Sequence, residues 1–169
     1  VRFSGSWENY SSPSTGGGNS GGMGGGLNEG NPNSSEYSCK GIKADNSISI
    51  NGGIINIKSH DDAIHTNSDV LLANGSYGSA NLIINGGTLN LYTDDDGIHS
   101  DGILTINGGN IIISNSYEGI EGNYIYFKNG TVQIKSQDDG INAKTTLYFE
   151  GSDVYLDAGG DGLDSNGNI

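Results

Sequence analysis

Acidic residues recur along this chain in short phrases of one kind, in which one or two acids precede a small residue, an aliphatic residue and a polar residue. Asp95-Asp96-Gly97-Ile98-His99 is the clearest copy. Carboxylates grouped in this way can bind a divalent cation or serve as general acids and bases. Either chemistry requires that the fold bring successive copies of the phrase together.

The phrase repeats about every 22 residues. Its aliphatic residue falls at positions 42, 64, 98, 120, 141 and 163, so the steps are 22, 34, 22, 21 and 22 residues. The long step contains a 12-residue insertion after His65, and the short step a one-residue deletion between Glu121 and Tyr124. A second motif, Asn-Gly-Gly, occurs at 51–53, 85–87 and 107–109, and apolar residues alternate with polar ones on both sides of it.

Alternation with a period of two predicts short, half-buried β-strands. A repeat of this length with three short β runs cannot bury its apolar face alone, so it must stack on its neighbours. The sequence therefore predicts an all-β parallel β-helix, a solenoid with about 22 residues and three short strands per coil. A four-stranded propeller blade, the alternative, needs about twice this repeat length.

The chain divides by composition into two regions. Residues 1–36 are rich in Gly, Ser and Asn and predict a cap or linker, in which Trp7 and Tyr10 would either stack on a sugar or plug the end of the solenoid. Residues 37–169 predict the β-helix itself. Ile169 would begin another inward-facing strand, so we expect the solenoid to continue beyond the C-terminus, and a secretion signal to lie outside the sequence.

Composition limits the classes of partner. Seven Lys and Arg residues against 20 Asp and Glu give a formal net charge of −13, which disfavours nucleic acid and anionic membranes and favours cations. The sequence contains no run of about twenty apolar residues, so it predicts no membrane-spanning helix. The single cysteine, Cys39, cannot form an internal disulfide.

In a parallel β-helix, equivalent residues of successive coils lie about 4.8 Å apart. Two carboxylates at that spacing repel each other by about 1 kcal/mol in water, and by more at a partly buried turn. Calcium binds oxygen at about 2.3–2.6 Å, so one ion between two coils would have ligands about 4.6–5.2 Å apart. The candidate calcium ligands are Asp61, Asp62, Asp95, Asp96, Glu118, Glu121, Asp138, Asp139, Asp161 and Asp164.

Two other interpretations of these polar residues stay open. Asp and Gly favour turns for backbone reasons, so the acids could simply point into water. His65 and His99 would stack in adjacent coils and suggest a transition-metal pair, although the lack of a thiolate and the acidic neighbours argue against zinc.

The same phrases resemble a family of secreted bacterial carbohydrate-binding domains with a polysaccharide-lyase-like right-handed parallel β-helix. The resemblance covers residues 39–169 and rests on 41–45, 61–65, 95–99, 116–121, 138–142 and 160–167. It implies calcium held by acids of adjacent coils and non-catalytic binding of plant cell-wall polysaccharides, including acidic pectic chains and cellulose. It also implies a secreted or cell-surface protein without a catalytic residue.

Tyrosines on outward-facing strand positions are the candidate carbohydrate-binding residues. Tyr126 and Tyr148 occupy one column, with Tyr92 and Tyr155 elsewhere on the surface. A tyrosine column can equally stabilise a sheet.

Two further functions are alternatives to carbohydrate binding. A calcium-dependent pectate-type lyase would need a base, for which Lys58, Lys135 and Lys144 are candidates. A surface fibre or adhesin would form by end-to-end self-association of solenoids through unpaired strand edges.

Overall fold

The computed structural model of the chain describes residues 39–69, 71 and 73–169. These residues form thirteen β-strands and no helix long and apolar enough to cross a membrane. The strands are β1 (Ile42–Ala44), β2 (Ser47–Ile50), β3 (Ile54–Lys58), β4 (Ile64–Thr66), β5 (Asn81–Ile84), β6 (Thr88–Tyr92), β7 (Ile98–Ile106), β8 (Asn110–Asn115), β9 (Ile120–Phe127), β10 (Gly130–Ser136), β11 (Ile141–Phe149), β12 (Ser152–Ala158) and β13 (Leu163–Ser165). The predicted cap or linker at 1–36, with Trp7 and Tyr10, lies outside the described residues.

The strands form two parallel sheets. One has five strands in the order β12-β10-β8-β6-β3. The other has eight, with β1-β4-β7-β9-β11-β13 in one path and β2-β5-β7 joined to it. Strands of successive coils are neighbours in each sheet, so the chain is an all-β solenoid of about six coils. The predicted parallel β-helix is confirmed.

The predicted register of the coils is also confirmed. Ile42 pairs with Ile64, Ile64 with Ile98, Ile98 with Ile120, Ile120 with Ile141 and Ile141 with Leu163. These are the six aliphatic residues of the repeated phrase. The acids that precede them are therefore stacked at one corner of the solenoid.

The strands differ in one respect from the three separate runs expected in each coil. In β7, β9 and β11 the short run after the acid corner continues into the first strand of the next coil. The one-residue deletion is absorbed there, because the pairing register shifts between Ser100 and Ile103 and again between Ala143 and Thr146. The inward-facing residues beyond the shift remain aligned, because Leu104 pairs with Ile125 and Ile106 with Phe127.

The core is a continuous stack of aliphatic side chains between the two sheets. Its buried members are Ile50, Ile57, Ala63, Ile64, Leu82, Ile84, Leu89, Leu91, Ile98, Leu104, Ile106, Ile111, Ile113, Ile120, Ile125, Phe127, Val132, Ile134, Ile141, Ala143 and Leu147. Phe127 stacks on Phe149 of the next coil, with ring centroids 4.8 Å apart and planes 9° from parallel. Each coil thus covers the apolar face of its neighbour.

An asparagine ladder reinforces the turn before the five-stranded sheet. The Asn85 amide donates to Asn51 Oδ1 at 2.7 Å, and the Asn107 amide donates to Asn85 Oδ1 at 2.8 Å. Stacked amides of this kind join successive coils by side-chain hydrogen bonds in addition to the backbone ladder.

The insertion between β4 and β5 forms an excursion on the surface. Leu71 and Tyr77 form an antiparallel bridge across it, and both are more than half exposed. Gly75, at φ 80°, adopts the left-handed conformation that the predicted Asn74-Gly75 turn requires. The excursion starts beside the acid corner, where the Ser68 amide donates to Asp101 Oδ2 at 3.1 Å.

Close packing at the acid corner predicts that Gly119→Ala destabilises the fold. A Cβ at Gly119 would collide with the Gly140 carbonyl oxygen and the Ile134 side chain. We expect a loss of about 1–3 kcal/mol, because neither the backbone nor the packed isoleucine can move freely.

Urea unfolding monitored by circular dichroism measures this loss. Gly162→Ala is the matched control, because Gly162 holds the same place in its coil but its Cβ would meet only Leu156 Cδ1, at 3.7 Å. Equal losses in the two variants would contradict the packing explanation.

Candidate functional site

The acid ladder is the stack of carboxylates at the corner between the five-stranded sheet and the next coil. Backbone hydrogen bonds hold its turns in register, because the Ala63 amide donates to the Asp96 carbonyl at 2.9 Å and the Gly97 amide to the Glu118 carbonyl at 3.0 Å. The acid ladder consists of Asp61, Asp62, Asp95, Asp96, Glu118, Glu121, Asp138, Asp139, Asp161 and Asp164. Asp62, Asp95, Asp96 and Glu118 are buried.

A lysine neutralises the first coil of the acid ladder. Lys40 Nζ lies 2.6 Å from Asp61 Oδ1 and 2.8 Å from Asp62 Oδ2. Burial alone would raise the pKa of Asp62, but its hydrogen bond to His65 and the Lys40 charge lower that pKa to about 2. The contact of Lys40 with these acids was not predicted from the sequence.

Two histidines in adjacent coils, His65 and His99, stack on each other beside the acid ladder. The rings of His65 and His99 are 4.6 Å apart and 9° from parallel. His65 Nδ1 contacts Asp62 Oδ2, whereas His99 Nδ1 lies 3.0 Å from Asp96 Oδ2 and 2.7 Å from Glu121 Oε2. His65 therefore contacts a carboxylate of its own coil, whereas His99 contacts one carboxylate of its own coil and one of the next.

Among the described residues, two buried carboxylate oxygens have no hydrogen-bond partner, Asp96 Oδ1 and Glu118 Oε2. Burial, with the nearby charges of Glu121 and Asp139, raises the pKa of Glu118 to about 8. Burial likewise raises the pKa of Asp96 well above its ordinary range. A buried acceptor without a donor is costly, and a bound cation would remove that cost.

The C-terminal half of the acid ladder has the least compensation. Within the described residues, no lysine, arginine or histidine forms an ion pair with Glu118, Asp138, Asp139, Asp161 or Asp164. Asp139 Oδ1 accepts a hydrogen bond from the Asp161 amide at 2.7 Å. Burial and the charges of Asp138 and Asp164 raise the pKa of Asp139.

The structure gathers half of the predicted ligands into compact groups. In the described part of the chain, ligand atoms lie within 4.8 Å of one another in Asp61-Asp62-Asp95 and in Asp96-His99-Glu121. The remaining predicted ligands, Glu118, Asp138, Asp139, Asp161 and Asp164, lie in the same stack without forming such a group. His99 joins a group that the sequence predicted to contain only acids.

The predicted tyrosines lie on two different sheets. Tyr126 and Tyr148 pair in register on the eight-stranded sheet, but their rings are 6.2 Å apart and tilted by 54°, so they do not form a flat platform. Tyr92 lies on the five-stranded sheet with Lys58 Nζ 5.0 Å from its ring centroid. Tyr155, also on the five-stranded sheet, is 61% exposed.

Tyr155 borders an open groove of about 370 Å³ on the five-stranded sheet. Ile112 and Gln133 line its floor in the same cross-strand column as Tyr155. Lys135 and Asp157, which form an ion pair at 2.9 Å, line the side that faces the acid ladder. An exposed aromatic ring beside hydrogen-bonding side chains is a typical lining of a ligand site.

Comparison with known proteins identifies a family. No curated protein and no solved structure matches the chain. A family model described as "Carbohydrate-binding domain-containing protein" matches residues 14–80, 72–119 and 112–168, which together cover most of the chain. The chain, a parallel β-helix with an acid ladder and a groove beside Tyr155, therefore belongs to this carbohydrate-binding domain-containing family.

Proposed function

We propose that the chain is a secreted or cell-surface module that binds polysaccharide without cleaving it and uses calcium to do so. The observation that carries the proposal is the buried Glu118 Oε2, which has no hydrogen-bond partner and lies in the half of the acid ladder whose acids form no ion pair among the described residues. Membership of a carbohydrate-binding family supports the class of partner. The charges of the acid ladder support calcium as the ion, and the net charge and the groove at Tyr155 support the kinds of sugar that we propose.

Charge and spacing favour calcium in the C-terminal half of the acid ladder. Glu118 belongs to one coil and Asp138 and Asp139 to the next, and adjacent coils are about 4.8 Å apart along the backbone. Their carboxylates would draw together around one calcium ion, whose ligands on opposite sides lie about that far apart. Carboxylates are the ligands that calcium prefers, and the half-exposed Asp139 leaves room for water or a sugar to complete the coordination.

A shared cation would allow this acidic chain to bind an acidic polysaccharide. The net charge of −13 repels a polyuronate. A calcium ion with an open coordination position would attract a uronate carboxylate, because the ion makes the local electrostatic potential positive instead of negative. Acidic pectic chains are therefore the polymers that we expect at the acid ladder.

The groove at Tyr155 would bind the same or a neutral chain. Lys135 lies near the end of β10 and precedes Asp138 by three residues, at most about 10 Å of chain, so the groove and the acid ladder are adjacent parts of one surface. A pyranose ring would stack on Tyr155, and its hydroxyl groups would bond to Gln133, Lys135 and Asp157. A neutral chain such as cellulose needs no calcium for these contacts.

A pull-down with both polymers tests the proposal. We expect polygalacturonate to be retained at least about tenfold more weakly in excess chelator, because the bridging cation is lost, and cellulose to be retained equally with and without chelator. Circular dichroism must show that the protein remains folded in chelator.

The double variant Glu118→Gln, Asp139→Asn should lose the calcium-dependent retention of polygalacturonate. Glu150→Gln with Asp153→Asn is the matched control, because it removes the same two charges from exposed positions outside the acid ladder. Polygalacturonate binding that persists in chelator, or that the two double variants lose equally, would contradict calcium bridging.

Tyr155→Ala is expected to weaken cellulose retention about three- to tenfold, because it removes the stacking face of the groove. Tyr124→Ala, an exposed tyrosine on the other sheet, is the control and should leave retention unchanged. Binding isotherms with soluble cello-oligosaccharides give the affinities. Equal affinities of Tyr155→Ala and the parent protein would place neutral sugars elsewhere on the surface.

A further inference from the structure

Four side chains converge at the middle of the acid ladder in an arrangement that calcium does not require. His99 Nδ1 faces Asp96 Oδ2 at 3.0 Å and Glu121 Oε2 at 2.7 Å. On the opposite side of the ring, His99 Nε2 lies 3.1 Å from Asp101 Oδ1. Asp96, His99 and Asp101 come from one coil and Glu121 from the next, in register with His99.

The orientation of the His99 ring is determined on every side. The Nε2–H group donates to Asp101, which itself accepts the Ser68 amide at 3.1 Å. The ring stacks on His65 at 4.6 Å. Nδ1 is therefore held toward the two carboxylates and cannot turn away without loss of these contacts.

A single nitrogen does not satisfy the two acids that it faces. Nδ1 carries at most one proton, whereas Asp96 and Glu121 both present an oxygen to it. Asp96 is only 3% exposed, and its second oxygen, Oδ1, has no hydrogen-bond partner. A buried oxygen without a partner leaves the hydrogen-bond network incomplete, and a bound cation would complete it.

We propose that Asp96, His99 and Glu121 bind a small divalent transition-metal ion, with zinc as its representative, and that Asp101 positions the imidazole. His99 Nδ1 and one oxygen from each carboxylate are the three protein ligands. Asp101 has the role that a carboxylate commonly takes toward a metal-bound histidine, in which it accepts the N–H group on the far side of the ring.

Size and ligand type separate this ion from calcium. Zinc bonds nitrogen and oxygen at about 2.0–2.2 Å, so its ligand atoms lie about 3.3 Å apart in a tetrahedron. The nitrogen–oxygen separations of 2.7 and 3.0 Å need to widen only slightly to reach that value. Calcium bonds are longer, and calcium coordinates oxygen rather than imidazole nitrogen.

The zinc site does not depend on the proposed function, because neither calcium nor a sugar binds there. Calcium would bind at Glu118, Asp138 and Asp139, which lie further along the acid ladder. The zinc site also differs from the transition-metal pair of two histidines considered from the sequence, since His65 contacts Asp62 instead.

The test measures how much zinc the full chain binds. Chelator first removes any bound metal, the protein is then dialysed against zinc in the presence of excess calcium, and bound metal is measured by elemental analysis. We expect one zinc equivalent to be retained, with an X-ray absorption spectrum that shows scattering from one imidazole ring. No retained zinc, displacement by calcium, or a spectrum without imidazole scattering would overturn the proposal and leave His99 as a protonated partner of the two acids.

Variants assign the site to His99. His99→Gln should lose the zinc equivalent, whereas His60→Gln, which alters a more exposed histidine paired with Asp94, should retain it. Asp101→Asn should weaken zinc binding about 10–100-fold while the number of sites stays at one. If His99→Gln does not fold, Asp101→Asn decides, and unchanged zinc affinity in that variant overturns the proposal.

Discussion

Removal of calcium is expected to lower the Tm of this protein by about 5–10 °C. An ion that binds only the folded state at about 100 times its Kd stabilises that state by about 2.7 kcal/mol, and each kcal/mol shifts the Tm of a chain of this size by about 2–4 °C. The expected source is the C-terminal half of the acid ladder, where Glu118 Oε2 is buried and unpaired. Thermal unfolding followed by circular dichroism, with calcium and with excess chelator, measures the shift.

Glu118→Gln locates the effect within the chain. The amide keeps the shape of the side chain but cannot ionise to bind a cation, so calcium should raise the Tm of this variant much less than that of the parent protein. In chelator the variant should be about as stable as the parent, because burial and the charges of Glu121 and Asp139 raise the pKa of Glu118 to about 8 and keep its carboxyl group largely protonated near neutral pH. Glu150→Gln, an exposed acid outside the ladder, is the control and should keep the full calcium response. A full response in Glu118→Gln would exclude this half of the ladder as the calcium site.

Phe127→Ala is expected to reduce the free energy of unfolding by about 3–5 kcal/mol. Phe127 is completely buried and stacks on Phe149 at 4.8 Å, so its removal leaves a cavity between two coils. Solenoid coils contact mainly their neighbours, so the loss should weaken the stacking of the coil that contains β9 and β10 on the coil that contains β11 and β12.

Urea unfolding measures the loss, and Tyr148→Ala is the control. Tyr148 lies in β11, the strand that pairs with the Phe127 strand, but its ring is 49% exposed. Its truncation should change the free energy of unfolding by about 0.5 kcal/mol. A similar loss in both variants would show that the aromatic stack does not carry the stability between these coils.

Register was the feature most accessible to sequence reasoning. The column from Ile42 to Leu163 and the asparagine ladder from Asn51 to Asn107 could be aligned by counting, because stacked coils of constant length bring equivalent residues together. The deletion near Glu121 was located in the same way, and the structure absorbs it as a register shift in β9.

Contacts within each corner could not be read from the spacing. The sequence predicted a ladder of stacked acids that repel one another, and the structure brings the Lys40 ammonium against Asp61 and Asp62 at the first coil of that ladder. Lys40 lies 21 residues before Asp61, and only the side-chain conformations at the turn decide whether its nitrogen reaches the acids or the solvent. The sequence pattern does not show which of these two conformations a long, flexible lysine side chain adopts.

The sequence by itself determined the parallel β-helix, its period of about 22 residues and the stacking of the acids at one corner. These follow from local alternation and constant repeat length, which act at every coil in the same way. Only the tertiary structure decided that His99 joins Asp96 and Glu121, that Asp101 holds its ring, and that Tyr155 rather than the tilted Tyr126–Tyr148 pair borders a groove. These features depend on side-chain rotamers and on contacts between coils, where a change of about 1 Å or one rotamer makes or breaks a contact that the repeat pattern leaves unchanged.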